Sequence, residues 1–137
     1  MATDTAGSVA REYPTQQVHY LRKRITYAIE NTSINIGVIP PNAILTGGGV
    51  HIITAFNDSG TDTLDVGFVG GTTDADGYAT LLDLSAVGYI VLDELAATTN
   101  IMQTVATTVT CIYNGQNNNA SAGVAEVVIT YVVDNDQ

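Results

Sequence analysis

Residues 43–69 read AILTGGGVHIITAFNDSGTDTLDVGFV, and this stretch decides the fold. Ala43 to Phe56 reads as one long strand and Thr63 to Val69 as a second, since β-branched and aromatic side chains fit a pleated surface. Asn57-Asp58-Ser59-Gly60 between them is strong turn chemistry, so residues 50–69 read as a β-hairpin. Gly47-Gly48-Gly49 interrupts the first strand. Glycines there point to a bulge, a bend or a close neighbour. A phosphate cradle would need Lys and Ser/Thr at a helix start, whereas Val50-His51-Ile52 follows.

The same grammar extends in both directions. Upstream, Val18 to Ile29 and Ile34 to Val38 alternate, and Pro40-Pro41-Asn42 ends the second run. Downstream, Tyr89 to Leu95, Met102 to Tyr113 and Val124 to Val133 read as strands. The Asn/Gly-rich segment Asn114 to Gly123 reads as a loop. Tyr78 to Leu84 is the best helix candidate. Residues 1–17 are small and polar and read as a mobile arm, or one ordered only by a partner. The expected fold is all-β: a compact β-sandwich or jelly roll of about seven or eight antiparallel strands, with at most one short helix and an extended N-terminal arm. Composition agrees, because 46 of the 137 residues are Val, Ile or Thr. A monomer of 14.3 kDa exposes roughly 6,800 Å² against about 20,700 Å² unfolded, enough burial for one core without staples.

Charge divides the chain more sharply than composition does. Its four bases, Arg11, Arg22, Lys23 and Arg24, all lie in the first 24 residues, where only Asp4 and Glu12 oppose them. Residues 25–137 carry twelve acids and no Lys or Arg, within a net charge of −10. The chain therefore divides into a basic arm, 1–24, and an acidic β-sandwich domain, 25–137. In the alternating run both faces of Val18 to Arg24 carry positive charge, so the basic half is expected to extend beyond the sheet, with only Ile25 to Ile29 packed. A body without bases cannot hold nucleic acid or anionic lipid electrostatically, so neither nucleic acid nor membrane is an expected partner. No apolar run approaches the roughly 20 residues of a membrane span, and Met1 to Arg11 lacks the apolar stretch of a signal peptide.

Chemical motifs are sparse. Asp74-Ala75-Asp76-Gly77 contains the middle of a calcium loop, but Thr72 and Asp83 stand where further ligands belong. An Asp-rich turn is the plainer reading, with calcium left open. His19 and His51 have no metal-ligand spacing, and His51 reads as a strand-face residue. Cys111 reads as a small buried hydrophobe. Ser33, Ser59 and Ser85 carry no nucleophile signature, so neither catalysis nor a cofactor is expected. Asn31-Thr32-Ser33 and Asn119-Ala120-Ser121 match the glycosylation pattern and read as coincidental without a leader.

One resemblance stands beside this reading. The segment from Ile39 to Gly88 resembles small structural proteins of tailed bacteriophages. It is carried by Ile39 to Thr46, Thr54 to Asn57, Thr63 to Gly67, Asp74 to Tyr78 and Leu82 to Gly88. The resemblance implies a head decoration (cement) protein on the capsid exterior. It implies the major capsid protein as partner and a homotrimer built on a compact β-fold. Residues expected to anchor it are Arg11, Arg22, Lys23 and Arg24, with Tyr13, Tyr20 and Tyr27 as aromatic contact area. The competing reading is a phage-surface module that recognises host glycan through the Asp74–Gly77 and Asn114–Gly123 loops. With no Trp and nine aromatics, a sugar-stacking platform is poorly supplied.

Overall fold

Along Val124–Val132, Ala125, Val127, Ile129 and Tyr131 are buried while the residues between them turn to the other face. This period of two repeats throughout and yields two sheets packed on one core. The computed structural model describes residues 17–134. Sheet A orders β1 (Val18–Thr26), β8 (Val124–Val132), β3 (Ile44–Thr54) and β6 (Gly88–Val91). Sheet B orders β2 (Ser33–Ile39), β7 (Thr107–Gly115), β4 (Asp62–Val69) and β5 (Thr73–Asp83). Every pairing is antiparallel. The all-β sandwich of eight strands is thus as the sequence predicts. The core runs between the sheets through Ile25, Val50, Ile52, Leu64, Val66, Phe68, Tyr78, Val109, Tyr113 and Val127, with Phe68 and Tyr78 rings 4.7 Å apart.

Three expectations about local structure change. Residues 50–69 are not a hairpin, because β3 and β4 belong to different sheets. Their link, residues 55–61, is far longer than a two-residue hairpin turn and carries the chain across the core. The true hairpin is β4–β5. Second, the helix expected over Tyr78 to Leu84 does not form: Tyr78 to Asp83 belongs to β5, and Leu84 follows its end. Its alternation is disguised by register shifts opposite Leu64–Phe68 and by Leu81, whose φ of 53° lies in the left-handed region. Third, Val18 to Arg24, assigned from sequence to the arm, pairs residue by residue with β8 from Val18↔Val132 to Thr26↔Val124. The remainder of that arm, residues 1–16, lies outside the described residues. A single 3₁₀ turn, Tyr27–Ile29, links β1 to β2.

The glycine run behaves as a bulge and a close approach. The β3–β8 register slips between Leu45 and Gly47, and Gly48 has φ of +152°. A Cβ on Gly49 would lie 2.4 Å from the Tyr89 ring, which covers that backbone from β6. Cys111 is buried, and burial pushes its thiol up to about 12, which keeps it protonated and poorly nucleophilic. Among the described residues no helix is long and apolar enough to cross a membrane.

Candidate interaction surface

The outward residues of sheet A form the candidate surface. Register places Val18, Val132 and Ile44 in one row, then Tyr20, Thr130 and Gly47, then Arg22, Val128, Gly49 and Val91, then Arg24, Glu126, His51 and Tyr89. Exposed apolar side chains are concentrated here: Val18, Tyr20, Ile44, Ile53, Tyr89 and Val91. Large side chains left open side by side on a flat sheet mark a contact face better than scattered ones do.

Three of the seven expected contact residues sit on this face. Tyr20 is 66% exposed, and Arg22 and Arg24 follow on the same side of β1. Both guanidiniums reach across to Glu126, Arg22 through Nη2 at 3.2 Å and Arg24 through Nε at 3.3 Å. The Glu126 side chain is only 9% exposed beneath them, while the arginines are 59% and 61% exposed. The Arg22 hydrogen bond and charge hold the Glu126 carboxyl below its usual range, against the opposing effect of burial. Lys23 shares the opposite side of β1 with Leu21 and Ile25, yet remains exposed at the strand edge. Arg11 and Tyr13 lie outside the described residues. Tyr27 is half-exposed in the 3₁₀ turn, off the sheet face.

Sequence reasoning missed Glu126, Tyr89, Val91 and Ile44 as members of this face. The available signal was the parity of each strand: Glu126 alternates with four buried residues of β8, so it had to face outward. Its partners on β1 are 102 and 104 residues away and depend on topology.

The two loops of the glycan reading do not meet. Asp74 pairs with Phe68 near one end of β4, and Gly115 pairs with Asp62 at the other, six residues or about 20 Å of strand away. The Asn-rich loop is occupied internally: the Asn117 and Asn119 N–H groups donate to the Asp58 carboxylate, and both side-chain amides donate to Ser59. Within the Asp74–Gly77 segment the Asp76 N–H approaches Asp74 Oδ1 at 3.4 Å, the Asx contact expected of an Asp-rich turn, here inside a bulged strand.

No family model matches the sequence, and no curated protein matches it. Solved structures do share the fold. A chain in the capsid of Ralstonia phage GP4 matches with a TM-score of 0.67 at 17% identity, over 94% of this chain and 92% of that one. A chain of the cyanophage Pam1 capsid asymmetric unit matches at 0.60 and 19% identity, over 98% and 100% of the two chains. A chain of the acidic stable capsid structure of Helicobacter pylori bacteriophage KHP30 matches at 0.63 and 15% identity, over 83% and 86%. Nearly the whole described sandwich, rather than one motif of it, is therefore an arrangement also found among the chains of phage capsids.

Proposed function

We propose that the protein is a structural, non-enzymatic component of a phage virion, and more specifically a capsid decoration (cement) protein. It sits on the head exterior as a homotrimer, binds the major capsid protein lattice and stabilises the shell. Tyr20, Arg22, Lys23 and Arg24 take part in contacts with its partners, together with Arg11 and Tyr13. The observation that carries this reading is the near full-length fold likeness to chains found in three phage capsids. The outer face of sheet A supports it physically. It offers apolar area and a pair of arginines already fixed over Glu126, so little side-chain entropy is lost on docking. Repetition over a shell multiplies contacts that are individually weak.

The decisive measurement is copy number and consequence on purified particles. Quantitative mass spectrometry should find hundreds of copies per virion, and particles stripped of the protein should lose resistance to heat and osmotic shock. A handful of copies, or unchanged resistance, overturns the cement role.

A further inference from the structure

The sandwich has two lateral sides of opposite charge. β1 lies over β2, where Leu21 packs against Gly37. At the far side β5 meets the segment after β6: the Glu94 N–H donates to the Tyr78 carbonyl at 3.1 Å, and the Thr80 N–H to Asp93 at 3.0 Å. Every base among the described residues is on β1: Arg22, Lys23 and Arg24. The far side carries Asp74, Asp76 and Asp83 on β5, then Asp93 and Glu94, with no base.

Both sides are open to a partner. On β1, Glu126 engages one nitrogen of each guanidinium, so the remaining N–H groups are left to a partner on side chains that are 59% and 61% exposed. On β5, the exposed Asp74 and Asp76 sit in the segment that bulges out opposite Gly67. Their shared hydrogen bond, partial burial and repulsion from Asp74 and Asp65 raise the Asp76 carboxyl above its ordinary range, a crowding that an incoming cation relieves. Exposed apolar residues flank each patch, Val18 and Tyr20 on one side and Leu81 on the other.

We infer that the chain binds a second copy of itself head to tail, the Arg22–Lys23–Arg24 side of one copy docking on the Asp74–Asp76 side of the next. The two patches differ and lie on opposite sides, so the contact is heterologous. It therefore repeats until a ring closes or a filament grows. Guanidinium–carboxylate pairs set the register and the flanking apolar residues supply area. The inference deepens the homo-oligomer of the proposed function by naming its contact. It is tested without capsids, so its failure is separable from that of the cement role.

The experiment uses the full chain and reads mass by light scattering across concentration and salt. The wild type should exceed monomer mass at low salt and dissociate as salt rises. One variant, D74K/D76K, turns the Asp74–Asp76 patch basic, so that both docking patches are basic. Another, R22E/R24E/E126Q, makes both acidic, the Glu126 change preventing a third carboxylate from being buried beneath two others. Each alone should associate at least about tenfold more weakly, and their equimolar mixture should recover wild-type association to within about threefold. A wild type that stays monomeric at low salt, or folded variants that fail to associate when mixed, overturns the contact. If the acidic variant does not fold, K23C and D76C chains oxidised together replace it. Predominance of the mixed disulfide supports the contact, and a statistical mixture of pairings overturns it.

Discussion

The outer faces of the two sheets come from the same β-branched vocabulary and end as different surfaces. Sheet A turns outward Val18, Tyr20, Ile44, Tyr89 and Val91 around an Arg–Glu–Arg group. Sheet B turns outward Asn35, Thr63, Asp65, Thr108, Thr110 and Asn114, with Ile112 half-buried among them and Val38 and Val69 toward one end. Threonine keeps the β-branched shape while presenting a hydroxyl to water, so the strand propensity is retained and the adhesiveness is not. The difference teaches that composition reports how much sheet there is, while parity decides which face is built to meet another protein.

Two outward glycines probe this contrast with the largest expected effect. On sheet B, Gly67 lies under the β5 bulge, and a Cβ there would be 2.1 Å from the Asp74 carbonyl oxygen. On sheet A, a Cβ on Gly47 would meet only Thr130 Oγ1 at 3.5 Å, an ordinary contact. Gly67→Ala should therefore cost roughly 3 kcal/mol or more in urea unfolding, by forcing the bulge off its strand. Gly47→Ala should stay within about 0.5 kcal/mol. Equal losses at the two sites would mean that the β5 bulge does not close over Gly67.

Binding should separate the faces next. Tyr20→Ser with Val91→Ser removes apolar area from sheet A without touching the core, and should weaken particle binding at least tenfold, or about 1.4 kcal/mol. Thr108→Val with Thr110→Val on sheet B should leave binding unchanged. A pull-down on stripped heads reads both, and a larger loss from the sheet B pair would reverse the assignment of faces.

Smaller still is the effect of the ion group on stability. Arg22→Ala with Arg24→Ala uncovers Glu126 on the outer face and removes its cations. Tm at neutral pH should fall by roughly 4 °C. The Glu126 carboxyl is held below its unfolded value, so its contribution is present above the ordinary glutamate range and is lost as pH falls through the folded value. The double variant should accordingly lose this component of acid sensitivity, and thermal melts across acidic pH measure it.

The fold class was legible because alternation, turn residues and β-branched content all agreed on it. Sheet membership was not. The turn at Asn57–Gly60 reverses the chain equally well within a sheet or across the core, and only the seven-residue link separates the cases. The helix candidate failed for a local reason: the bulge and the left-handed Leu81 put Leu81 and Leu82 in succession, which breaks the period of two. Arg22 and Arg24 were visible as an isolated basic cluster, but their anchor was not. Glu126 is one acid among fourteen until β1 is laid beside β8.

The sheets also bury carboxylates differently. Sheet A covers Glu126 with cations, whereas the end of sheet B gathers Glu30, Asp58 and Asp62 beside Tyr113, whose hydroxyl donates to Asp62. Here protons and backbone N–H groups replace cations. Burial opposes Asp58 ionisation, but donors from Asn119, Gly60 and Asn117 outweigh it and hold that carboxyl at about 2. Glu30 moves the other way, raised by burial and by the neighbouring Asp58 carboxylate. The signs are opposite. The stability from Asp58 is present above the unfolded value and is lost as pH falls toward about 2. That from Glu30 is full below its unfolded value and is lost as pH rises through the raised folded one. Glu30→Gln keeps an oxygen for the Ala120 N–H and supplies an N–H to Asp58 without a titrating proton. It should raise Tm by about 2 °C at neutral and alkaline pH and leave Tm unchanged near pH 3, read by thermal melts over that range. A variant whose melting point instead falls at neutral pH would show that Glu30 is held there as a carboxylate, and that the sheet B end stabilises its acids as charges just as sheet A does.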